Sequence, residues 1–228
     1  MYFYNDDLTK DITVALVHEV KNPISLIKAN IELLELENVL DNHKKNVTMI
    51  KNELNKISEI ISDFMLFCNQ NYEIKLTQIN ILDLARDYIE KFNIYNHITF
   101  SINCFENIND IFILAEYSKL AMIFSNIYKN CVEAIKHTTG FIQTNIYIKD
   151  NNVVVDIIDN GSGIDDDIYQ KVYEPFFTSK ANGSGLGIPI CINTMKSLNG
   201  SFEIFNNKDL GCTTRLIFEN SKYISKQA

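Results

Sequence analysis

The sequence of 228 residues is poor in the residues that break regular structure. It has 8 glycines and 3 prolines, too few for a disordered, collagen-like or linker-dominated chain. Hydrophobic residues make up 46% and charged residues 22% of the chain, which is ordinary for a globular protein. A chain of this length can therefore bury a sizeable core, as one large domain or two modest ones.

Long apolar runs and positive charge are also scarce. No stretch approaches the roughly 20 apolar residues of a membrane span, and residues 1–11 lack the basic region and apolar stretch of a signal peptide. The 21 basic residues are outnumbered by 29 acidic ones, for a net charge of −8. Because a sequence-blind nucleic-acid binder needs excess positive charge, we expect a cytoplasmic protein with no nucleic-acid partner and no membrane span.

The five cysteines form no metal-binding or disulfide pattern. They lie far apart, with no CxxC and no histidines at zinc spacing. In a reducing compartment such cysteines behave as small buried hydrophobic residues. The sequence therefore offers no zinc site and no disulfide framework.

Residues 1–70 have the pattern of two amphipathic helices. Apolar residues spaced three and four apart recur in two stripes. The first stripe contains Ile12, Leu16, Val20, Pro23, Ile27, Ile31 and Leu34, and the second contains Val47, Ile50, Leu54, Ile57, Ile61, Phe64 and Cys68. The polar residues 38–43 suit a turn between the helices. Because such a hairpin leaves apolar surface uncovered, we expect two copies to close a four-helix bundle in a homodimer.

From residue 71 onward the patterns indicate an α+β domain. Helical patterns cover residues 80–92, 116–137 and 188–199, and Gly140 is expected to end the second helix. Strand patterns cover residues 98–104, 110–115, 141–150, 151–160, 201–206 and 212–219. The third and fourth strands should form a hairpin that turns near residues 150–152 without a glycine. We expect helices on one face of the strands, with domains at 1–70 and 71–220 and a tail at 221–228.

A histidine with an acidic neighbour lies on the first predicted helix. His18 is followed by Glu19, and the helical period turns His18 away from the apolar stripe. A neutral imidazole is a nucleophile, and a carboxylate can orient it or accept its proton. Asn22 lies one turn later on the same face, where its amide could hold a water. The alternative is a surface histidine of a coiled coil.

Two further groups of polar residues suit a nucleotide. Asn126 and Asn130 share one helical face, and amide oxygens can coordinate Mg²⁺ whose charge is balanced by phosphates. Asp159 ends an apolar strand and runs into a Gly-Ser-Gly turn at 161–163. The turn lets the backbone approach a flat ligand, and the carboxylate can accept the amino N–H of adenine. The alternatives are a polar helix face and an ordinary turn.

A glycine-rich segment precedes the last predicted helix. Gly183, Gly185 and Gly187 would expose backbone N–H groups at a helix N-terminus, where anions bind. The segment is not a GxxxxGK[ST] phosphate loop, and no dinucleotide-binding β-α-β unit precedes it. Two adjacent phenylalanines at 176 and 177 fit a lid that packs its aromatic rings on closing.

The order of these segments resembles that of bacterial sensor histidine kinases. The segments HEVKNP, NIYKNCVEA, DNGSGI, EPFFTSK and GSGLGI are similar to the H, N, G1, F and G2 boxes of that family. The resemblance extends over residues 8–218, and five boxes in order are far more specific than any one of them. It implies a helical dimerisation and histidine-phosphotransfer domain followed by a Bergerat-type α/β sandwich that binds ATP.

The resemblance also implies roles for single residues. His18 matches the phosphoacceptor, Glu19 the acidic residue that assists the kinase step, and Asn22 the position linked to dephosphorylation of the response regulator. Asn130 matches the Mg²⁺ ligand and Asp159 the residue that reads adenine. The other residues implied to bind ATP are Asn126, Lys129, Gly161, Gly163, Ile164, Phe177, Lys180, Gly183, Ser184, Gly185, Leu186, Gly187 and Thr213.

Two departures from the family pattern stand out. Glu133 occupies a position where many members carry a basic residue near the phosphates, so Lys129 or Lys180 would have to supply that charge. Only seventeen residues precede His18. That length indicates either a kinase core from a longer gene or, as we expect here, a kinase without a sensor domain. Kinases of this kind feed sporulation phosphorelays in spore-forming bacteria.

The function implied is an ATP-dependent histidine autokinase with Mg²⁺ as cofactor. The phosphoryl group would pass from ATP to His18 and then to an aspartate on the receiver domain of a response regulator. Two alternatives remain from the sequence. One is a phosphatase-biased or phosphotransfer protein, and the other is a dimeric scaffold that binds ATP without autokinase activity.

Overall fold

The protein is described here from a computed structural model. The described residues are 76–107, 111–135, 139–175, 177–180 and 185–221, together with 21, 24–25, 27–29, 31–32, 35, 47–48, 50–52, 54–55, 57–58, 61–62 and 65. The chain divides into two compact units. One comprises Met1–Asn71 with Phe176–Leu186, and the other comprises Tyr72–Pro175 with Gly187–Ala228.

The first unit contains a helical hairpin. Every described residue between positions 21 and 35 (α1) and between 47 and 65 (α2) is helical. Lys21 Nζ donates to Ser62 Oγ at 3.4 Å, and Lys51 forms an ion pair with Glu35. Because the start of α1 meets the end of α2 and the end of α1 meets the start of α2, the two helices are antiparallel. The predicted turn at 38–43 lies outside the described residues.

The apolar residues of the hairpin divide into an inner and an outer set. Ile24, Ile31, Val47 and Leu54 are buried together, and Ile61 packs against them. The side chains of Ile27, Ile50 and Ile57 are 48%, 47% and 41% exposed. All three belong to the predicted stripes but lie outside the buried seam, whereas Ile24, which was not in the predicted stripe of α1, is buried. The apolar stripe of each helix is therefore wider than the seam between α1 and α2.

The second unit is an α+β domain, as the sequence predicts. Its elements are β1 (Thr77–Asn80), α3 (Ile81–Phe92), β2 (Ile98–Cys104), β3 (Phe112–Ala115), α4 (Tyr117–Ile135), β4 (Gly140–Lys149), β5 (Asn152–Asp159), α5 (Gly187–Ser197), β6 (Ser201–Asn206) and β7 (Cys212–Glu219). Short 3-10 helices at Asp166–Ile168 and Lys171–Tyr173 lie between β5 and α5. Among the described residues, no helix has the length and apolar character needed to cross a membrane.

The main sheet has five strands in the order β2-β4-β5-β7-β6. Strands β2 and β4 run parallel, and the pairs β4/β5, β5/β7 and β6/β7 are antiparallel. A separate antiparallel pair joins β1 to β3. Strand β1 was not predicted, because its sequence TQIN is too short to show a period. The mixed sheet agrees with the fold class expected from the sequence.

The hydrophobic core lies on one face of the main sheet. The inward residues of β5 are Val153, Val155 and Ile157, and they join a cluster that includes residues of α3, α4 and α5. Because strand side chains alternate between faces, Asp156 projects to the opposite face. The prediction of helices on one face is therefore confirmed. This packing leaves one side of α4 at the surface.

The β4–β5 hairpin turns at Asp150 and Asn151, within the predicted segment and without a glycine. Asp150 and Asn151 have φ values of 49° and 63°, the left-handed region that Asn and Asp tolerate better than most residues. Lys149 pairs with Asn152 across the turn. The expectation for Gly140 was wrong, because α4 is described only to Ile135 and Gly140 begins β4.

Candidate functional site

One face of α4 carries four polar residues at helical spacing. Asn126 and Asn130 are half-buried, and Lys129 and Glu133 are exposed. The opposite face is fixed by Tyr128, which is fully buried and whose hydroxyl lies 2.5 Å from Thr144 Oγ1 on β4. Burial raises the pKa of Tyr128, so the hydroxyl stays neutral. The anchored face therefore sets the direction in which the two asparagines are presented.

Asp159 ends β5 as a buried carboxyl, with 4% of the residue exposed. Its Oδ1 accepts the backbone N–H of Gly161 at 2.8 Å and that of Cys212 at 3.3 Å. Burial raises the pKa of Asp159, and the two N–H groups and the thiol of Cys131 act in the opposite direction. An acceptor held in this way can read a donor of a bound ligand.

The turn at 160–164 packs directly on the end of α4. A Cβ at Gly161 would lie 2.6 Å from the Cβ of Ala134, so no larger residue fits there without a shift. The N–H of Ser162 donates to the carbonyl of Ala134 at 3.2 Å. Gly163 has a φ of 72°, which favours glycine. The structure thus places Gly161 next to the helix that carries Asn126 and Asn130, whereas Gly163 and Ile164 lie beside Asn206.

The N-terminus of α5 lies beside the same helix. A Cβ at Gly187, the first residue of α5, would lie 3.5 Å from Asn126 Oδ1. The first backbone N–H groups of a helix favour negative charge. Asn126 and the start of α5 are therefore close enough to contact one anionic group together.

The connection between β6 and β7 was largely missed by the sequence reasoning. Asn207 Nδ2 donates to the carbonyl oxygen of Asp159 at 3.0 Å. Asn206 forms two hydrogen bonds with the backbone of Ile164. Thr213 was predicted, and its hydroxyl donates to Asn207 Oδ1. An Asn-Asn pair at the end of a strand was the available signal, because asparagine side chains readily bond to nearby backbone.

Four other predicted residues are described within the first unit. Phe177 is half-buried, Lys180 is exposed and Leu186 is buried. The N–H of Lys180 donates to Thr178 Oγ1 at 3.1 Å, and Gly185 has a φ of 68°. These residues belong to the first unit. The residues His18, Glu19, Asn22, Gly183 and Ser184 lie outside the described residues, and their roles stay predictions.

The donor chemistry of α4 fits a magnesium ion that arrives with a nucleotide. Within the described part of the chain, no group of three or more His, Cys, Asp or Glu side chains could hold a metal. Asn130 and Asn126 offer neutral amide oxygens, which Mg²⁺ accepts as ligands. Because these ligands carry no charge, the negative charge would have to come from phosphates. The residues therefore fit a metal–nucleotide complex better than a free ion.

Comparisons with known proteins identify two domains. Residues 11–69 match the His Kinase A (phospho-acceptor) domain, and residues 115–222 match the histidine kinase-, DNA gyrase B- and HSP90-like ATPase family. Sporulation kinase B of Bacillus subtilis is 24% identical over 216 residues, which are 92% of this chain and 49% of that protein. The kinase AtoS of Escherichia coli is 25% identical over 91% of this chain and 34% of its own length. The chain thus spans about half of these relatives or less.

Solved structures of other proteins share the fold of this chain. Full-length ShkA in complex with AMPPNP superposes with a TM-score of 0.74 at 20% identity, over 92% of this chain and 46% of that one. ThkA in complex with its response regulator TrrA gives a TM-score of 0.66 at 22% identity, over 93% of this chain and 62% of that one. At sequence identities of 20% and 22%, these superpositions show a shared fold only. Together, the two matched domains and their order show that the chain belongs to the histidine kinase family.

Proposed function

We propose that the chain is an ATP-dependent protein histidine autokinase of a two-component system or phosphorelay. Residues 1–70 would form the dimerisation and phosphotransfer domain and residues 71–220 the ATP-binding domain, followed by a tail at 221–228. The observation that carries the proposal is the buried Asp159, held by backbone N–H groups and adjoining the helix that presents Asn126 and Asn130. The similarity to sporulation kinase B favours a sporulation phosphorelay as the setting.

ATP is the substrate that best matches the chemistry of this part of the second unit. Asp159 would accept the amino N–H of adenine, since a carboxylate is an acceptor-only group. Asn130 and Asn126 would hold Mg²⁺, which would supply positive charge to offset that of the phosphates. The N–H groups that begin α5 at Gly187 favour the phosphates. Lys129, exposed on the same face of α4, would supply positive charge where Glu133 cannot.

The reaction would proceed by two phosphoryl transfers. A nitrogen of His18 attacks the γ-phosphorus of ATP, the bond to the β-phosphate oxygen breaks, and ADP leaves. Glu19 would orient the imidazole or accept its proton. The phosphoryl group would then pass to an aspartate carboxylate on the receiver domain of a response regulator. The complex of the similar protein ThkA with its response regulator supports a partner of this class. Asn22 would act in a separate reaction, the dephosphorylation of the response regulator, by holding the water that attacks the aspartyl phosphate and releases inorganic phosphate.

A homodimer is the assembly that the hairpin favours. The outer apolar set of Ile27, Ile50 and Ile57 is exposed on a helical hairpin, and burying about 25 cal/mol per Å² of apolar surface stabilises association. Two hairpins that bury these residues against each other form a four-helix bundle. The His Kinase A match over residues 11–69 supports the same arrangement.

Incorporation of label from γ-labelled ATP with Mg²⁺ tests the proposal. The parent chain should acquire acid-labile, alkali-stable label, while His18→Gln and Asn130→Ala should not. Asn103→Ala is the matched control, because Asn103 lies on β2 and donates to Asn145 on β4, away from α4; it should be labelled like the parent. A parent that binds ATP but acquires no label would contradict the autokinase and favour a scaffold or a phosphatase.

A further inference from the structure

The turn at 160–164 has few side chains of its own to hold it. Gly161 and Gly163 contribute none, and glycine loses more conformational freedom on folding than other residues. On the side of α4, a hydrogen bond from Ser162 N–H to Ala134 O holds the turn. Asn160 Oδ1 accepts the N–H of Phe141 on β4 at 2.8 Å. These bonds leave Gly163 and Ile164, at the far end of the turn, to be held by another part of the chain.

Asn206 at the end of β6 bonds to both backbone groups of Ile164. Its Oδ1 accepts the N–H of Ile164 at 2.9 Å, and its Nδ2 donates to the carbonyl of Ile164 at 2.7 Å. Oδ1 also accepts the thiol of Cys212 at 3.2 Å. The side-chain amide thus pairs with Ile164 as a neighbouring strand would, and the end of the turn is fixed to β6.

Asn207 connects Asp159 to Thr213. Its Nδ2 donates to the carbonyl of Asp159 at 3.0 Å and to that of Leu210 at 3.2 Å. Its Oδ1 accepts the hydroxyl of Thr213 at 2.6 Å. The backbone N–H of Asn207 donates to Gly211 O at 2.9 Å. Because Thr213 is only 5% exposed, it holds the Asn207 amide from within the fold, and it acts on Asp159 through Asn207.

The backbone of the β6–β7 connection also touches Asp159. A Cβ at Gly211 would lie 2.1 Å from the carbonyl oxygen of Asp159 and 2.7 Å from Cα of Asn160, so only glycine fits. The next N–H, that of Cys212, donates to Asp159 Oδ1 at 3.3 Å. Both the main chain and the carboxyl of Asp159 are therefore held by residues about fifty positions later in the sequence.

We propose that Asn206, Asn207 and Thr213, here called the asparagine clasp, are positioning residues that hold Asp159 in place and thereby set selectivity for adenine over guanine. This inference rests on the proposed function, in which Asp159 reads the base. Adenine presents an amino donor at its six-position, where guanine presents a carbonyl acceptor. A carboxylate can discriminate between them only if its position is fixed, because a mobile carboxylate can move away from the unfavourable acceptor.

Amide hydrogen exchange on the nucleotide-free full chain tests the hold on the turn. In Asn206→Ala the Ile164 amide loses its acceptor and should exchange roughly tenfold faster. The matched control is Asn145→Ala, because Asn145 Oδ1 accepts two hydrogen bonds, as Asn206 Oδ1 does, but from the side chains of Asn103 and Gln143. The control should leave exchange at Ile164 unchanged. If the Ile164 amide exchanges at the same rate in the parent and in Asn206→Ala, Asn206 does not hold the turn in place.

Dissociation constants for ATP and GTP test the selectivity. Asn207→Ala and Thr213→Val should weaken ATP binding roughly three- to tenfold, the range of one or two lost hydrogen bonds. Both variants should also bring the dissociation constants for ATP and GTP closer together than they are in the parent. Thr213→Ser retains the hydroxyl and should restore the parent ratio of the two constants, while Asn145→Ala should match the parent. ATP binding by the parent, with an unchanged ratio in both variants, would overturn the clasp alone. A parent that binds neither nucleotide would overturn the proposed function and the selectivity role with it.

Discussion

At the scale of single residues, Asp159 has a proposed role in binding the base, but its buried carboxylate lowers the stability of the folded protein at neutral pH. Burial disfavours the charged carboxylate and raises the pKa of Asp159, and two backbone N–H groups with the Cys131 thiol only partly oppose this. The folded protein therefore binds a proton at this position more strongly than the unfolded chain does. An uncharged residue of the same shape would suit the fold better at neutral pH, but it would lose the acceptor that a base needs.

Asp159→Asn is expected to separate stability from binding. Because the folded pKa is raised, stability falls as the pH rises from the unfolded value, near 4, through the folded value. Asparagine does not titrate, so the variant lacks this loss, and its free energy of unfolding relative to that of the parent should be larger at pH 7 than at pH 4. Its affinity for ATP should fall at least tenfold, as for a lost hydrogen bond to a charged group. Urea unfolding at both pH values and nucleotide titration measure the two effects, and a stability difference independent of pH would contradict the account.

Tyr128 is the residue that fixes the back of α4. Its hydroxyl and that of Thr144 are each other's partners at 2.5 Å in the core, and both residues are fully buried. Tyr128→Phe should lower the free energy of unfolding by about 1–3 kcal/mol, because the Thr144 hydroxyl would be buried without that partner. The double variant Tyr128→Phe with Thr144→Val should recover part of this loss in urea unfolding. Strictly additive losses would show that the two hydroxyls do not interact.

At the scale of elements, the segment that follows the 160–164 turn is attached to the edge of the main sheet. Strand β6 lies at one edge of the main sheet, and edge strands present unpaired carbonyl groups. The carbonyl of Ile204 on β6 accepts the hydroxyls of Tyr169 at 2.6 Å and Tyr173 at 3.3 Å. The two tyrosine rings also meet edge to face. The pair therefore covers part of the edge and anchors the 3-10 helices.

Removing both hydroxyls should loosen this segment. Lys171 lies between the two tyrosines and is a trypsin site. In the double variant Tyr169→Phe with Tyr173→Phe, trypsin should cleave after Lys171 several times faster than in the parent, because local opening of the segment becomes easier. Tyr147→Phe is the matched control, since it loses one hydroxyl bond to Asp156 on β5 and should leave the cleavage rate at Lys171 unchanged. Equal rates in the double variant and the parent would show that the anchoring lies elsewhere.

The elements differ in how far the sequence predicts them. Strands β2, β6 and β7 have the predicted bounds. All three are rich in β-branched or aromatic residues, and β2 also alternates between apolar and polar residues. Strand β1 was missed because four residues carry too little pattern. Asn206 and Asn207, the two asparagines of the clasp, were missed for another reason. Its hydrogen bonds join residues 42 and 48 positions apart, and no periodicity within one segment encodes a bond between a side chain and a distant backbone.

At the scale of the whole molecule, the sequence predicted the family through the order of its motifs rather than through any one of them. The matched domains at 11–69 and 115–222 contain the segments on which that prediction was based. The sequence did not show which apolar residues of the hairpin face the partner helix of the same chain. The stripes of α1 and α2 each contain more apolar residues than one seam can bury, and only the structure separates the inner set from the outer set.

The outer set of exposed isoleucines, Ile27, Ile50 and Ile57, leads to a prediction about dimerisation. If Ile50 and Ile57 are buried against a second copy, then Ile50→Glu with Ile57→Glu places charges in an apolar interface, which is strongly unfavourable. Light scattering coupled to size-exclusion chromatography should give twice 26.2 kDa for the parent and the single mass for the variant. Asn52→Glu with Asn55→Glu adds the same charge at exposed polar positions of α2 and should remain dimeric. A monomeric parent, or a double isoleucine variant that stays dimeric, would mean that the outer set does not form the dimer interface.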